Sequence, residues 1–173
     1  MERAVVPERA PTFDPRAILA TLDRNRVAYI IVGGFARIVG HGADEVTLGI
    51  DITPSTREDN LRRLDAALAE LGARRADGSE PALARSEDPD EPVEVTTDKG
   101  ELKIVPKPLG TNGYEDLRRA ATYEHIGDGL KPAFASLGDL SRMLAALGRE
   151  DDMPKLLDLR QLAEIEYSHG IEI

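Results

Sequence analysis

An apolar run, Tyr29-Ile30-Ile31-Val32, stops abruptly at Gly33-Gly34-Phe35-Ala36, and one short helix later Thr47-Leu48-Gly49-Ile50-Asp51-Ile52 carries a lone carboxylate on a strand-like segment. A buried strand that turns through two glycines into a helix and returns as a second strand belongs to a layered α/β architecture. Residues two apart on a strand share a face, so positions 49 and 51 look the same way. Small residues at such a turn let a phosphate-bearing ligand approach the backbone, where free N–H groups at the helix start face it. Taken alone, a strand-Gly-Gly-helix unit describes a packing turn equally well.

The rest of the chain narrows the setting. Its 173 residues suit one well-buried core rather than two domains. No apolar run approaches the ~20 residues of a membrane helix. Met1-Glu2-Arg3-Ala4-Val5-Val6-Pro7 lacks the basic start and apolar centre of a secretion signal. The absence of cysteine excludes disulfides and thiolate zinc sites. These features predict a soluble, cytoplasmic protein without membrane partners. A net charge of −10 opposes broad binding to duplex nucleic acid, and the doublets Arg62-Arg63, Arg74-Arg75 and Arg118-Arg119 read as solvated partners of nearby acids.

Organisation follows from caps and periodicity. Residues 1–12 read as a flexible, Pro-containing arm and 13–173 as a single domain. Asp14-Pro15 caps a first helix carrying Ile18, Leu19 and Leu22. Strands are predicted over 29–32 and 46–53, and Leu61, Leu64, Leu68 and Leu71 mark an amphipathic helix stopped by Gly72. The segment 77–92, rich in Asp, Glu, Pro, Ser and Gly, reads as a mobile acidic loop. Residues 93–97 and 101–105 form a predicted hairpin about Asp98-Lys99-Gly100. A helix over 114–121 and strands over 123–126 and 131–135 follow. Ser136 caps a helix that Gly148 ends, with Leu137, Leu140, Leu144 and Leu147 on one face, and a last helix covers roughly 153–167. The expected fold is α/β (α+β), a mixed sheet flanked by helices.

Val32-Gly33-Gly34-Phe35-Ala36, Thr47-Leu48-Gly49-Ile50-Asp51-Ile52, Gly100-Glu101-Leu102-Lys103-Ile104-Val105-Pro106 and the helix from Ser136 to Arg149 together resemble the polymerase-beta-like nucleotidyltransferase superfamily. The resemblance is nearest to its minimal nucleotidyltransferases and AbiEii-type toxins of toxin-antitoxin and phage-defence systems. It runs from about residue 28 to 159. It implies a glycine motif at Gly33 and Gly34 for the nucleotide, acids on adjacent strands that hold two Mg²⁺ against an NTP, and a lysine on the C-terminal helix. Here Gly49 stands at the first acid, Lys103 at the third and Leu144 at the helical lysine, leaving Asp51.

Asp51 beside Lys103 is close to neutral, which leaves little to attract divalent ions. The departures predict an ion pair between Asp51 and Lys103 and a cleft that has lost two-metal chemistry. Glu101, on the same face but roughly 7 Å along the strand, and Glu94 on the partner strand are the acids available to substitute. His41 and Arg57 are further candidates for contact with a nucleotide, each with a blander reading, packing for His41 and pairing with Glu58 or Asp59 for Arg57. Two functional classes therefore stay open: a catalytically impaired protein that binds a nucleotide, an RNA or a protein, or an active Mg²⁺-dependent nucleotidyltransferase acting on tRNA or a protein. A homo- or hetero-oligomer in which another chain completes the site is a third.

Overall fold

The structure, a computed structural model, describes residues 12–43 and 45–171, with side chains described through residue 162. The expected arm at 1–12 falls outside the described residues apart from Thr12. The first helix, α1 (Pro15–Arg24), starts as its sequence requires, with Asp14 accepting a hydrogen bond from the Ala17 N–H at 3.1 Å. Strand β1 (Tyr29–Val32) runs directly into the short helix α2 (Gly33–Phe35), which continues as a wide π-type turn over Ala36–Gly40. Strand β2 (Gly49–Pro54), helix α3 (Glu58–Glu70) and the hairpin β3 (Val93–Thr97) and β4 (Gly100–Ile104) follow. Helix α4 (Tyr114–Leu117), strands β5 (Thr122–Tyr123) and β6 (Ala133–Phe134), and helices α5 (Leu137–Leu147) and α6 (Met153–Ile171) complete the order.

The six strands form one mixed sheet in the order β3-β4-β2-β1-β6-β5. β1 pairs antiparallel with β2, β2 parallel with β4, and β1 parallel with β6. Register assigns the two faces. Ile31, Ile52, Ile104 and Val93 lie opposite one another across four strands and are all buried. The neighbouring row, Val32, Asp51, Lys103 and Glu94, must therefore face the other way. One apolar face goes to the core with α1 and α3, whose Ile18, Leu19, Leu22, Leu64 and Leu68 are fully buried. The other carries the charges.

Several expected boundaries shift for visible reasons. The second strand begins at Gly49 rather than 46, because β1 ends opposite Asp51 and the pairing with β4 begins at Gly49 opposite Glu101, so earlier residues have no paired strand beside them. Val46 and Leu48 consequently stand 93% and 55% exposed. The fourth helix is one turn, not two, and β5 and β6 are two residues each. The segment 77–92 holds a short 3-10 turn over Leu83–Arg85 and buries more than its composition suggests. Leu83 packs into the core, and the Asp65 carboxylate accepts hydrogen bonds from the Leu83 and Ala84 N–H groups at 2.8 and 2.9 Å. On α5, Ser136 accepts from the Asp139 N–H and Gly148 closes the helix in the left-handed conformation, as the sequence predicts, but Leu147 is 44% exposed rather than buried.

Candidate functional site

Where β1 ends, the chain turns sharply over the side chain that projects from β2. Gly33 has φ +72°, and a Cβ placed on it would lie 2.5 Å from the Asp51 Oδ2. Glycine is required there twice over, for its backbone conformation and for the space the carboxylate fills. Gly34 is different, since a Cβ on it would sit an ordinary 3.6 Å from the Arg37 Nη2. The first glycine thus seats Asp51, and the second leaves room over Arg37.

Asp51 and Lys103 are register partners across the parallel β2–β4 pair, and Glu94 is the partner of Lys103 on β3. No hydrogen bond or contact ion pair joins Asp51 to Lys103 among the described residues. The expected ion pair is therefore corrected to a through-space coupling, in which Lys103 is the strongest of the charges favouring ionised Asp51, with Arg37 behind it. Burial outweighs both and holds the Asp51 carboxyl above the usual carboxylate range, with a small further push from Glu94.

This shift carries a stability consequence. A carboxyl whose pKa is raised by folding disfavours the folded state as pH climbs through the range between its unfolded and folded values. Asp51→Asn removes that penalty and should leave the protein as stable as the wild type at pH 7 or more stable by up to about 1 kcal/mol. Urea denaturation at pH 7 and again near pH 4, where the difference should shrink, checks it.

Asp51 and Lys103 form the floor of a cleft of about 230 Å³. Gly33, Gly34 and Arg37 close one end, Pro108 and Leu109 another, and Leu140, Met143, Leu144 and Leu147 of α5 form an apolar wall with Arg149 beyond it. Leu144, which stands where the resemblance implies a lysine, lines the cleft. Arg37 is nearly buried and held by Glu45 through both carboxylate oxygens, Nε to Oε2 at 2.7 Å and Nη2 to Oε1 at 3.0 Å. Arg37 is not among the sequence candidates, because its place is set by the π turn and by its pairing with Glu45.

The other candidates separate from this cleft. The His41 Nε2 lies 2.9 Å from the Ala135 carbonyl oxygen, tying the end of the π turn to the segment between β6 and α5, and His41 does not line the cleft. Arg57 is 80% exposed, 3.8 Å from Asp59, and borders a separate depression with Lys107 and Tyr114. Its pairing reading is the one the structure supports. Gly49 faces Glu101 across β2 and β4, and Glu101 accepts a hydrogen bond from the Thr96 hydroxyl at 3.2 Å. Glu94 and Glu101 share with Asp51 and Lys103 a shallower depression of about 200 Å³. Among the described residues no group of three or more His, Cys, Asp or Glu side chains gathers at metal-binding spacing.

Solved structures share this fold. A lincosamide antibiotic adenylyltransferase, LnuA, solved with lincomycin bound, superposes with a TM-score of 0.60 over 87% of this chain and 99% of its own, at 14% identity. The fold is that of the nucleotidyltransferases. The antibiotic-resistance factor ANT(2'')-Ia matches at a TM-score of 0.55 and 18% identity, covering 88% of this chain and 81% of that one. A Thermotoga maritima protein named as a candidate nucleotidyltransferase matches at 0.53 and 19%, over 86% and 90%. No protein-family model matches the chain, and no curated protein matches it significantly. Among the described residues no helix is long and apolar enough to cross a membrane.

The steric surroundings of Gly49 add one expectation about restoring an acid in this nucleotidyltransferase fold. A Cβ on Gly49 would lie 3.0 Å from both the Cβ and the backbone oxygen of Glu101. The backbone oxygen cannot swing away as a side chain would, and an added carboxylate would also face Glu101. Gly49→Asp should cost about 1–3 kcal/mol of stability, the range for overpacking, readable as a lowered denaturation midpoint.

Proposed function

We propose that this protein uses a nucleotidyltransferase fold to bind a ligand, a nucleotide first among the candidates, without two-metal nucleotidyl transfer. The observation that carries this reading is the row Asp51, Lys103, Glu94, in which a cation stands opposite the cleft's carboxylate. Two magnesium ions need several oxygen ligands and a local excess of negative charge. Among the described residues Asp51 is the one acid lining the cleft, and three cations, Arg37, Lys103 and Arg149, line it too. These residues do not suit a two-magnesium centre, and the tight approach at Gly49 adds to the misfit. An RNA or a protein is the alternative ligand within this reading.

A second reading has its own observation. Glu94 and Glu101 border the depression that also holds Asp51 and Lys103. An active Mg²⁺-dependent enzyme would recruit one of them, carrying NMP from an NTP to a tRNA or protein hydroxyl. Titration of the four NTPs with and without Mg²⁺ separates the two. The first reading predicts binding indifferent to Mg²⁺ in the wild type, with Mg²⁺ dependence emerging only in Lys103→Asp. Saturable Mg²⁺-dependent binding and label transfer, both lost in Asp51→Ala, would establish the second.

A further inference from the structure

The wall and floor of the cleft differ in character. Leu140, Met143 and Leu144 are the buried part of the wall, while Leu109 and Leu147 stand 59% and 44% exposed at its mouth. On the floor Lys103 makes no hydrogen bond or ion pair among the described residues. Arg149 uses its Nε on the buried Asp152 carboxylate at 2.6 Å, and Lys155 approaches the same carboxylate at 3.6 Å. One acid is thereby shared by two cations, and the terminal N–H groups of Arg149 have no other hydrogen bond among the described residues. Glu45 cancels Arg37, and among the described residues Asp51 is the single acid of the lining. The lining itself therefore holds two further cations, Lys103 and Arg149, to one acid, while Glu94 beside Lys103 on β3 and Asp151 near Arg149 offset them from outside it, within a chain of formal charge −10.

We propose that the cleft binds a small amphiphilic acid, with its one phosphate or carboxylate group held by Lys103 and Arg149 and its apolar or aromatic body laid on Leu109, Leu144 and Leu147. The inference rests on the reading that the cleft binds without two-metal transfer, and it names the ligand's chemistry. Lys103 supplies the positive charge that a divalent ion would otherwise bring to the anion. A triphosphate suits the lining less well, because it carries several negative charges toward one surplus cation and Asp51. Volume points the same way. About 230 Å³ lies below the roughly 300–1,000 Å³ of sites that enclose drug-sized ligands, and one ring system with one acidic group is of that scale. Nucleoside monophosphates and simple aryl acids both offer this chemistry.

Calorimetric titration of the full chain in EDTA tests it, with AMP and UMP as one arm, phenyl phosphate and phenylacetate as the other, and inorganic phosphate, adenosine and ATP as comparisons. At least one amphiphilic acid should bind about tenfold or more tightly than inorganic phosphate, and whichever arm binds identifies the source. Lys103→Gln should weaken that binding about tenfold. Leu147→Ser, an exposed position whose change leaves the core intact, should weaken the acid several-fold and leave phosphate unaffected. Equal affinity for phosphate and the acids, no binding by either arm, or an unchanged affinity in folded Lys103→Gln would overturn the inference. Metal-free ATP binding tighter than AMP binding would overturn it while leaving the broader reading intact. ATP binding that requires Mg²⁺ would remove the broader reading itself.

Discussion

Glu45→Ala should lower the unfolding free energy by about 3–5 kcal/mol, the cost of leaving a buried charge without its partner. Arg37 and Glu45 side chains are only 9% and 15% exposed and meet through two hydrogen bonds. Removing the carboxylate leaves a buried guanidinium at the end of the cleft with only its through-space coupling to Asp51 to offset it among the described residues. The pair also fastens the segment before β2 to the π turn, so the loss should be felt at the cleft as well as in the melt. The double variant Arg37→Met, Glu45→Leu separates charge from packing. It should recover most of the stability, because a buried ion pair adds little over apolar residues of similar volume. Guanidinium denaturation of the three proteins provides the comparison, and a Glu45→Ala midpoint equal to the wild type would show that the charge is solvated after all.

Phe134→Ala should cost a similar amount, about 3–5 kcal/mol. The ring is fully buried, stacks with Phe35 at a centroid distance of 6.4 Å, and lies so close to Gly40 that a Cβ there would approach it to 2.9 Å. Phe35 in turn meets Phe13 edge-on at 6.1 Å. A cavity at 134 therefore opens between β6, the glycine-turn helix and the entry to α1, three elements with no other large aromatic to close it. Domains of this kind are stable by only about 5–15 kcal/mol in total, so the variant should lose much of its reserve. A fall in denaturation midpoint with an unchanged slope would identify the effect as lost packing; a midpoint like that of the wild type would mean the site collapses around the gap.

How far the sequence could be read depended on whether a residue's role was local. Helix starts and stops set by side chains close in the chain, such as Asp14, Ser136, Gly72 and Gly148, lie where spacing and caps place them. The β3–β4 hairpin was legible for the same reason. The start of β2 was not, because it depends on where β1 and β4 run out. Leu83 was hidden in a polar stretch because its burial comes from an acid eighteen residues away, Asp65. Within the site, the positions of Gly33, Asp51 and Lys103 follow from motif order, and their juxtaposition is found in the register. The absence of a contact between Asp51 and Lys103 and the approach of Arg149 depend on side-chain reach between distant segments, and the pairing of Arg37 with Glu45 on how the chain turns between the π turn and β2. His41 looked like a cleft residue for its place between two glycines, yet its ring goes to the backbone carbonyl of Ala135, just past β6 and far along the chain.

The parallel pairings described above give the cleft a place in time. Ile31 pairs with Phe134, and the floor's Asp51 pairs with Lys103, so the site is closed by contacts between parts of the chain that are far apart in sequence. Such contacts carry a large loop-closure cost and are made late in folding. Arg149 and the α5 wall come later still in the chain. A ligand that needs floor and wall together finds nothing to hold until folding is nearly complete. It should therefore act on the rate at which the finished protein comes apart and leave the rate at which it forms unchanged.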